Sequence, residues 1–138
     1  MRNFLTICSF LLIAVMPLKS YAAEAPALYA VAFHADWCGS CKVLGSNVVK
    51  ARGKSDLDSQ NVLFVKLDLT NKATRDQSSL MASALGIKDF YEENSGKTGF
   101  VLLVNSKTGE AVGKLTKDMD SGQITTMIQE KISMIATS

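Results

Sequence analysis

The chain has 138 residues, with 15 basic and 13 acidic side chains, three cysteines and one histidine. With no second cysteine pair and a single histidine, the sequence lacks the paired-ligand spacing of a structural zinc site, and no Lys/Arg cluster suggests a nucleic-acid or anionic-membrane surface. The length suits one domain whose core needs no disulfide staples.

The first element reads as a targeting segment. Arg2 supplies a short positive region, Phe4 to Met16 is apolar except for Thr6, Cys8 and Ser9, and Ser20-Tyr21-Ala22 offers a small-x-small cleavage pattern. We expect a signal peptide over residues 1–22 and one domain over residues 23–138, placed in the periplasm or outside the cell. An uncleaved anchor is the alternative, but about 13 apolar residues fall short of the ~20 that a spanning helix needs. Cys8 lacks the Leu-x-small context of a lipoprotein signal and reads as an apolar filler. Cleavage after Ala22 would remove Arg2 and Lys19, leaving 13 basic against 13 acidic residues and only Cys38 and Cys41 as thiols.

Leu28 to His34 (LYAVAFH) is a short apolar run fit for a buried strand, followed by a helix from about Cys38 to Arg52, ended by Gly53-Lys54-Ser55. Asn61 to Leu69 (NVLFVKLDL), rich in branched and aromatic residues, predicts a second strand. Thr74 to Leu85 predicts a helix with Leu80, Met81, Ala84 and Leu85 facing inward, stopped by Gly86. Lys88 to Lys97 (KDFYEENSGK) reads as a loop. Phe100 to Val104 and Ala111 to Leu115 predict a hairpin across Asn105-Ser106-Lys107-Thr108-Gly109-Glu110. Ser121 to Ile135 closes the chain as a helix with Ile124, Met127, Ile128, Lys131, Ile132 and Ile135 along one side, its methionines serving as core filler. The order predicts a βαβ unit joined to a ββα unit: first pair of strands parallel with a right-handed crossover, last pair antiparallel.

Trp37-Cys38-Gly39-Ser40-Cys41-Lys42 carries the chemistry. A C-x-x-C pair at the start of a helix reads as a redox dithiol. Free backbone N–H groups and the positive end of the helix dipole favour the Cys38 thiolate, which is the nucleophile in disulfide exchange. Cys41, one turn on, is placed to resolve a mixed disulfide, and the loop is too small for a structural staple. No organic cofactor is needed, and the partners are protein thiols and disulfides.

The elements, with AFHADWCGSCK, FVKLDLTN and VLLVNSKTGE, resemble the thioredoxin-like superfamily. The nearest subgroup by resemblance is the periplasmic thioredoxin-like proteins and the soluble C-terminal domain of the membrane disulfide reductase DsbD. The resemblance implies an α/β thioredoxin-like fold, a central mixed four-stranded sheet flanked by helices. It also implies reduction of protein disulfides, with a membrane electron donor as a candidate partner. Three positions depart from the pattern. Ala32 stands six positions before Cys38, where thioredoxins usually carry a buried carboxylate. Thr98 or Gly99 replaces the cis-proline that flanks substrate, and a trans peptide is expected because a non-proline cis bond costs ~3 kcal/mol. The connection from Lys88 to Lys97 is longer than usual and is expected beside the active site.

With Ala32 in the carboxylate's place, His34, on the same strand face, becomes a candidate proton acceptor for Cys41. A histidine at the strand end, bonded to backbone and idle in turnover, is the plainer reading. Asp36 is a second candidate base, more often solvated; Lys42 covers apolar surface. Trp37 is expected to shield the dithiol or pack in the core. Gly39 and Ser40, inside the C-x-x-C loop, tune the potential and, with Thr98 and Gly99, form the candidate substrate-binding surface. Two readings of another class stand beside redox catalysis: a soft-ion carrier using Cys38, Cys41 and His34, and a binding module gripping a partner through residues 88–99.

Overall fold

The computed structural model describes residues 25–138. The expected signal peptide, and Cys8 with it, lies outside them. The described chain forms a four-stranded mixed sheet of order β2-β1-β3-β4, with β1 at Leu28–His34, β2 at Val62–Asp68, β3 at Phe100–Asn105 and β4 at Ala111–Thr116. β1 pairs parallel with β2 and antiparallel with β3, and β3 pairs antiparallel with β4. The mixed sheet flanked by helices is the expected thioredoxin-like architecture. β1 and β3 are central and covered on both faces, which is why their sequences are apolar without strict alternation.

Helices α1 (Gly39–Ser55) and α4 (Ser121–Ala136) cover one face of the sheet. There Leu28 and Ala30 of β1 and Val101 and Leu103 of β3 meet Leu44 and Ala51 of α1 and the fully buried Ile124 and Ile128 of α4. Helices α2 (Lys72–Ala84) and α3 (Lys88–Asn94) cover the other. There Val31, Phe33, Val65, Leu67 and Phe100 pack against Ala82, Ile87 and Tyr91, and the Phe33 and Phe100 rings stack at 4.9 Å.

Four expectations are corrected. Helix α1 runs through Gly53 to Ser55 and stops at Asp56, whose φ of 46° leaves the helical region. In α2 the buried residues are Ser78 and Ala82; Leu80, Met81 and Ala84 are exposed, and of the expected inward set only Leu85 packs, partly buried, against the core. Ser78 sets that rotation: its Oγ accepts from Asp68 N–H at 2.7 Å and donates to Asp68 O at 3.0 Å. Asn71 starts the helix before Thr74 through a reciprocal capping box with the Thr74 side chain and N–H. Finally, most of the expected loop is helix α3, held because Tyr91 is buried and its hydroxyl donates to Arg75 O at 2.8 Å.

Candidate active site

Strand β1 delivers its end to the site through backbone bonds. Leu69 N–H donates to His34 O at 2.7 Å and Cys38 N–H to Ala35 O at 3.0 Å, folding Ala35-Asp36-Trp37 into a turn that lifts Cys38 over the sheet. Cys38 is the N-cap of α1 in an extended conformation, and its Sγ accepts from Cys41 N–H at 3.1 Å. A sulfur thus holds the place usually taken by a capping oxygen. No acidic residue occupies the first turn of α1, so nothing there offsets the positive end of the dipole.

Cys38 and Cys41 are joined as a disulfide with Cα atoms 5.3 Å apart, and each residue is 6% exposed. Cys41 Sγ lies 3.8 Å from Phe33 O. Phe33 O also accepts from Gly99 N–H at 3.0 Å, so one carbonyl of β1 ties the resolving cysteine to the segment before β3. Gly99 has φ +89°, which favours glycine, and a Cβ there would collide with the Ser40 side chain and sit 3.6 Å from Cys38 Sγ. Gly99 therefore borders the dithiol, and all peptide bonds among the described residues are trans. Ser40 Oγ stands 3.4 Å from Cys38 Sγ.

A family model described as Thioredoxin matches residues 17–88, just over half of the chain and including both cysteines. The chain belongs to the thioredoxin family. Among solved structures it is similar to a mutant thioredoxin from Halobacterium salinarum, at 22% identity over 77% of this chain and 75% of that one, TM-score 0.46. A thioredoxin from Malassezia sympodialis matches at 20% identity over 80% of this chain and 78% of that one, TM-score 0.44. Chlamydomonas reinhardtii thioredoxin f2 matches at 24% identity over 78% and 82%, TM-score 0.44. No curated protein matches the sequence. A thioredoxin fold with a C-x-x-C pair at bonding distance supports thiol-disulfide oxidoreductase chemistry on protein thiols and disulfides.

Trp37 and His34 flank the same turn. Trp37 is 68% exposed, so it is surface beside the dithiol rather than core. His34 shares the α1-facing side of β1 with Ala32, but its side-chain partner is Asp36, with Nε2 3.4 Å from Oδ1, and not a sulfur. Asp36 is otherwise exposed, and its N–H donates to Thr70 Oγ1 at 3.0 Å. Among the described residues no three His, Cys, Asp or Glu side chains converge as a metal site would require.

Sequence reasoning missed the support beneath this turn. Asp68, opposite His34 in the β1–β2 register, accepts from the Thr70 hydroxyl and from Thr70 N–H at 2.9 Å. The Thr70 hydroxyl, and then its N–H, hold the Asp68 carboxyl below its ordinary value against partial burial; Lys66 and His34 assist. The Asp-x-Thr spacing of a side-chain-stabilised turn was the available signal.

Proposed function

We propose that this protein is a periplasmic thiol-disulfide oxidoreductase that reduces protein disulfides through Cys38 and Cys41. The observation that carries the reading is Cys38 at the N-cap of α1 with Cys41 N–H directed at its sulfur. In that position a thiolate gains both a hydrogen bond and the dipole, so Cys38 is the attacking group. The Cys38 thiolate displaces one sulfur of the substrate disulfide as a thiolate. Cys41, losing its proton, then attacks Cys38 Sγ and releases the second substrate thiolate, leaving the Cys38–Cys41 disulfide. Two electrons pass to the substrate, and a dithiol donor, membrane-borne by the resemblance to DsbD, restores the protein.

Gly39, Ser40, Thr98 and Gly99 form the surface against which substrate lies, with the exposed Trp37 ring at its edge. His34, paired with Asp36, is the candidate acceptor of the Cys41 proton. The signal-peptide pattern over residues 1–22 supports export, and the resemblance to a reducing family supports the direction.

Brief alkylation of the reduced protein at neutral pH should modify Cys38 well before Cys41, and Cys41→Ser should trap a mixed disulfide with substrate. Equal labelling of both thiols would overturn the assignment. The reduction potential, equilibrated against glutathione, tests direction: a value near ~−270 mV fits a reductant, and one near ~−120 mV an oxidant.

A further inference from the structure

We propose that the groove between α1 and the β1–β2 half of the sheet is a binding site for a small anionic amphiphile, a carboxylate on a short alkyl or aryl body. The groove encloses about 380 Å³, within the ~300–1,000 Å³ usual for small-molecule sites. Its helical wall is one stripe, Cys41, Gly45, Val48 and Arg52, repeating at three and four residues; its floor includes Ala30, Ala32, Phe64 and Val101.

The space comes from small residues where larger ones would fit. Glycine inside a helix is less favourable than alanine, yet a Cβ on Gly45 would have no atom within 4 Å, so packing does not require glycine there. Ala30 and Ala32 leave the strand side equally shallow. The result is an apolar trough open to solvent along β2, with the buried Cys41 at one end.

Charge selects the occupant. Lys42, Arg52 and Lys66 line the groove, together with the His34 imidazole that pairs with Asp36, and no Asp or Glu does. Arg52 is bound to Asp58 at 2.7 Å and sits over the Phe64 ring at 4.4 Å, closing the far end. Lys66 is only 3.8 Å from Asp68 at an exposed position, and Lys42 has no carboxylate within 4 Å among the described residues. An apolar body in the trough with its anionic head toward Lys42 and Lys66 satisfies both halves of the lining.

The test is an amide chemical-shift titration of the purified oxidised protein with octanoate, octanol and octylammonium. Octanoate should give saturable shifts at Ala32, Gly45, Val48 and Val101 and bind about tenfold more tightly than octanol, while octylammonium does not saturate. Gly45→Leu should fill the trough and abolish octanoate binding. Lys66→Gln, and Val49→Glu on the 66%-exposed outer lip, should each weaken octanoate about threefold or more and leave octanol unchanged. The absence of saturable shifts, equal affinity for octanol, or undiminished octanoate binding in both Gly45→Leu and Val49→Glu would overturn the proposal.

Discussion

The two faces of the sheet are built to different standards. On the α2–α3 side the stacked Phe33 and Phe100 rings, with Val65, Leu67 and Tyr91, fill the space. On the α1 side, at the cysteine end, Ala30, Ala32 and Gly45 leave a trough beneath Cys41. The dithiol is therefore positioned from behind rather than from below. Phe33 puts its ring into the tight face and its carbonyl toward Cys41 Sγ and Gly99 N–H.

The strongest way to break that arrangement is Phe33→Ala, since the side chain is 1% exposed and its loss leaves a cavity in the filled face. It should cost ~3–5 kcal/mol of stability, read by denaturant unfolding. A much smaller loss would mean that this face collapses readily. Next is Gly99→Ala, which meets the Ser40 side chain from a backbone at φ +89° and should cost ~1–3 kcal/mol. Disulfide-reduction assays should show a larger loss in turnover than in stability, because the displaced Ser40 lies against Cys38 Sγ.

On the open side, His34→Phe keeps bulk and removes the candidate proton acceptor. Release of mixed disulfide should slow about tenfold, a barrier change of ~1.4 kcal/mol. Stopped-flow traces that overlay wild type from about pH 5 to about pH 9 would confine His34 to its pairing with Asp36.

The smallest effect is at Thr70, whose hydroxyl and N–H lower the titration of Asp68. A depressed carboxylate stabilises the fold above its ordinary value of 3.8 and loses that contribution as pH falls through the lowered value. Thr70→Val should therefore destabilise by ~0.5–1.5 kcal/mol at neutral pH. The deficit should shrink below pH 3.8, leaving only the lost bond from Asp36 N–H. A deficit that does not change with pH would remove Asp68 from the account.

How much of this the sequence disclosed follows from where each signal lives. Strands β1 and β3 were plain because central strands are apolar throughout, and α4 because Ile124, Ile128 and their neighbours recur at helical spacing. The rotation of α2 was hidden because its deciding contact is Ser78 with the backbone of Asp68, ten residues away on another element. Helix α3 is one short stretch of polar residues around Phe90 and Tyr91, stabilised by a partner on α2 that periodicity does not register. At the site, the cysteines could be placed from spacing, and Thr98-Gly99 only through the resemblance to thioredoxins. The trough could not, because three small residues from two elements must meet before their missing volume adds up.

The sulfur cap of α1 gives the helix a redox-dependent anchor. Cys41 N–H donates to Cys38 Sγ, and a thiolate accepts that bond more strongly than a disulfide sulfur does. Reduction should then tighten the first helical turn even as it cuts the covalent link between Cys38 and Cys41. Local fraying would be set by charge in one state and by the crosslink in the other. Amide exchange at Cys41 would report the exchange of one fastening for the other, residue by residue, without reference to any substrate.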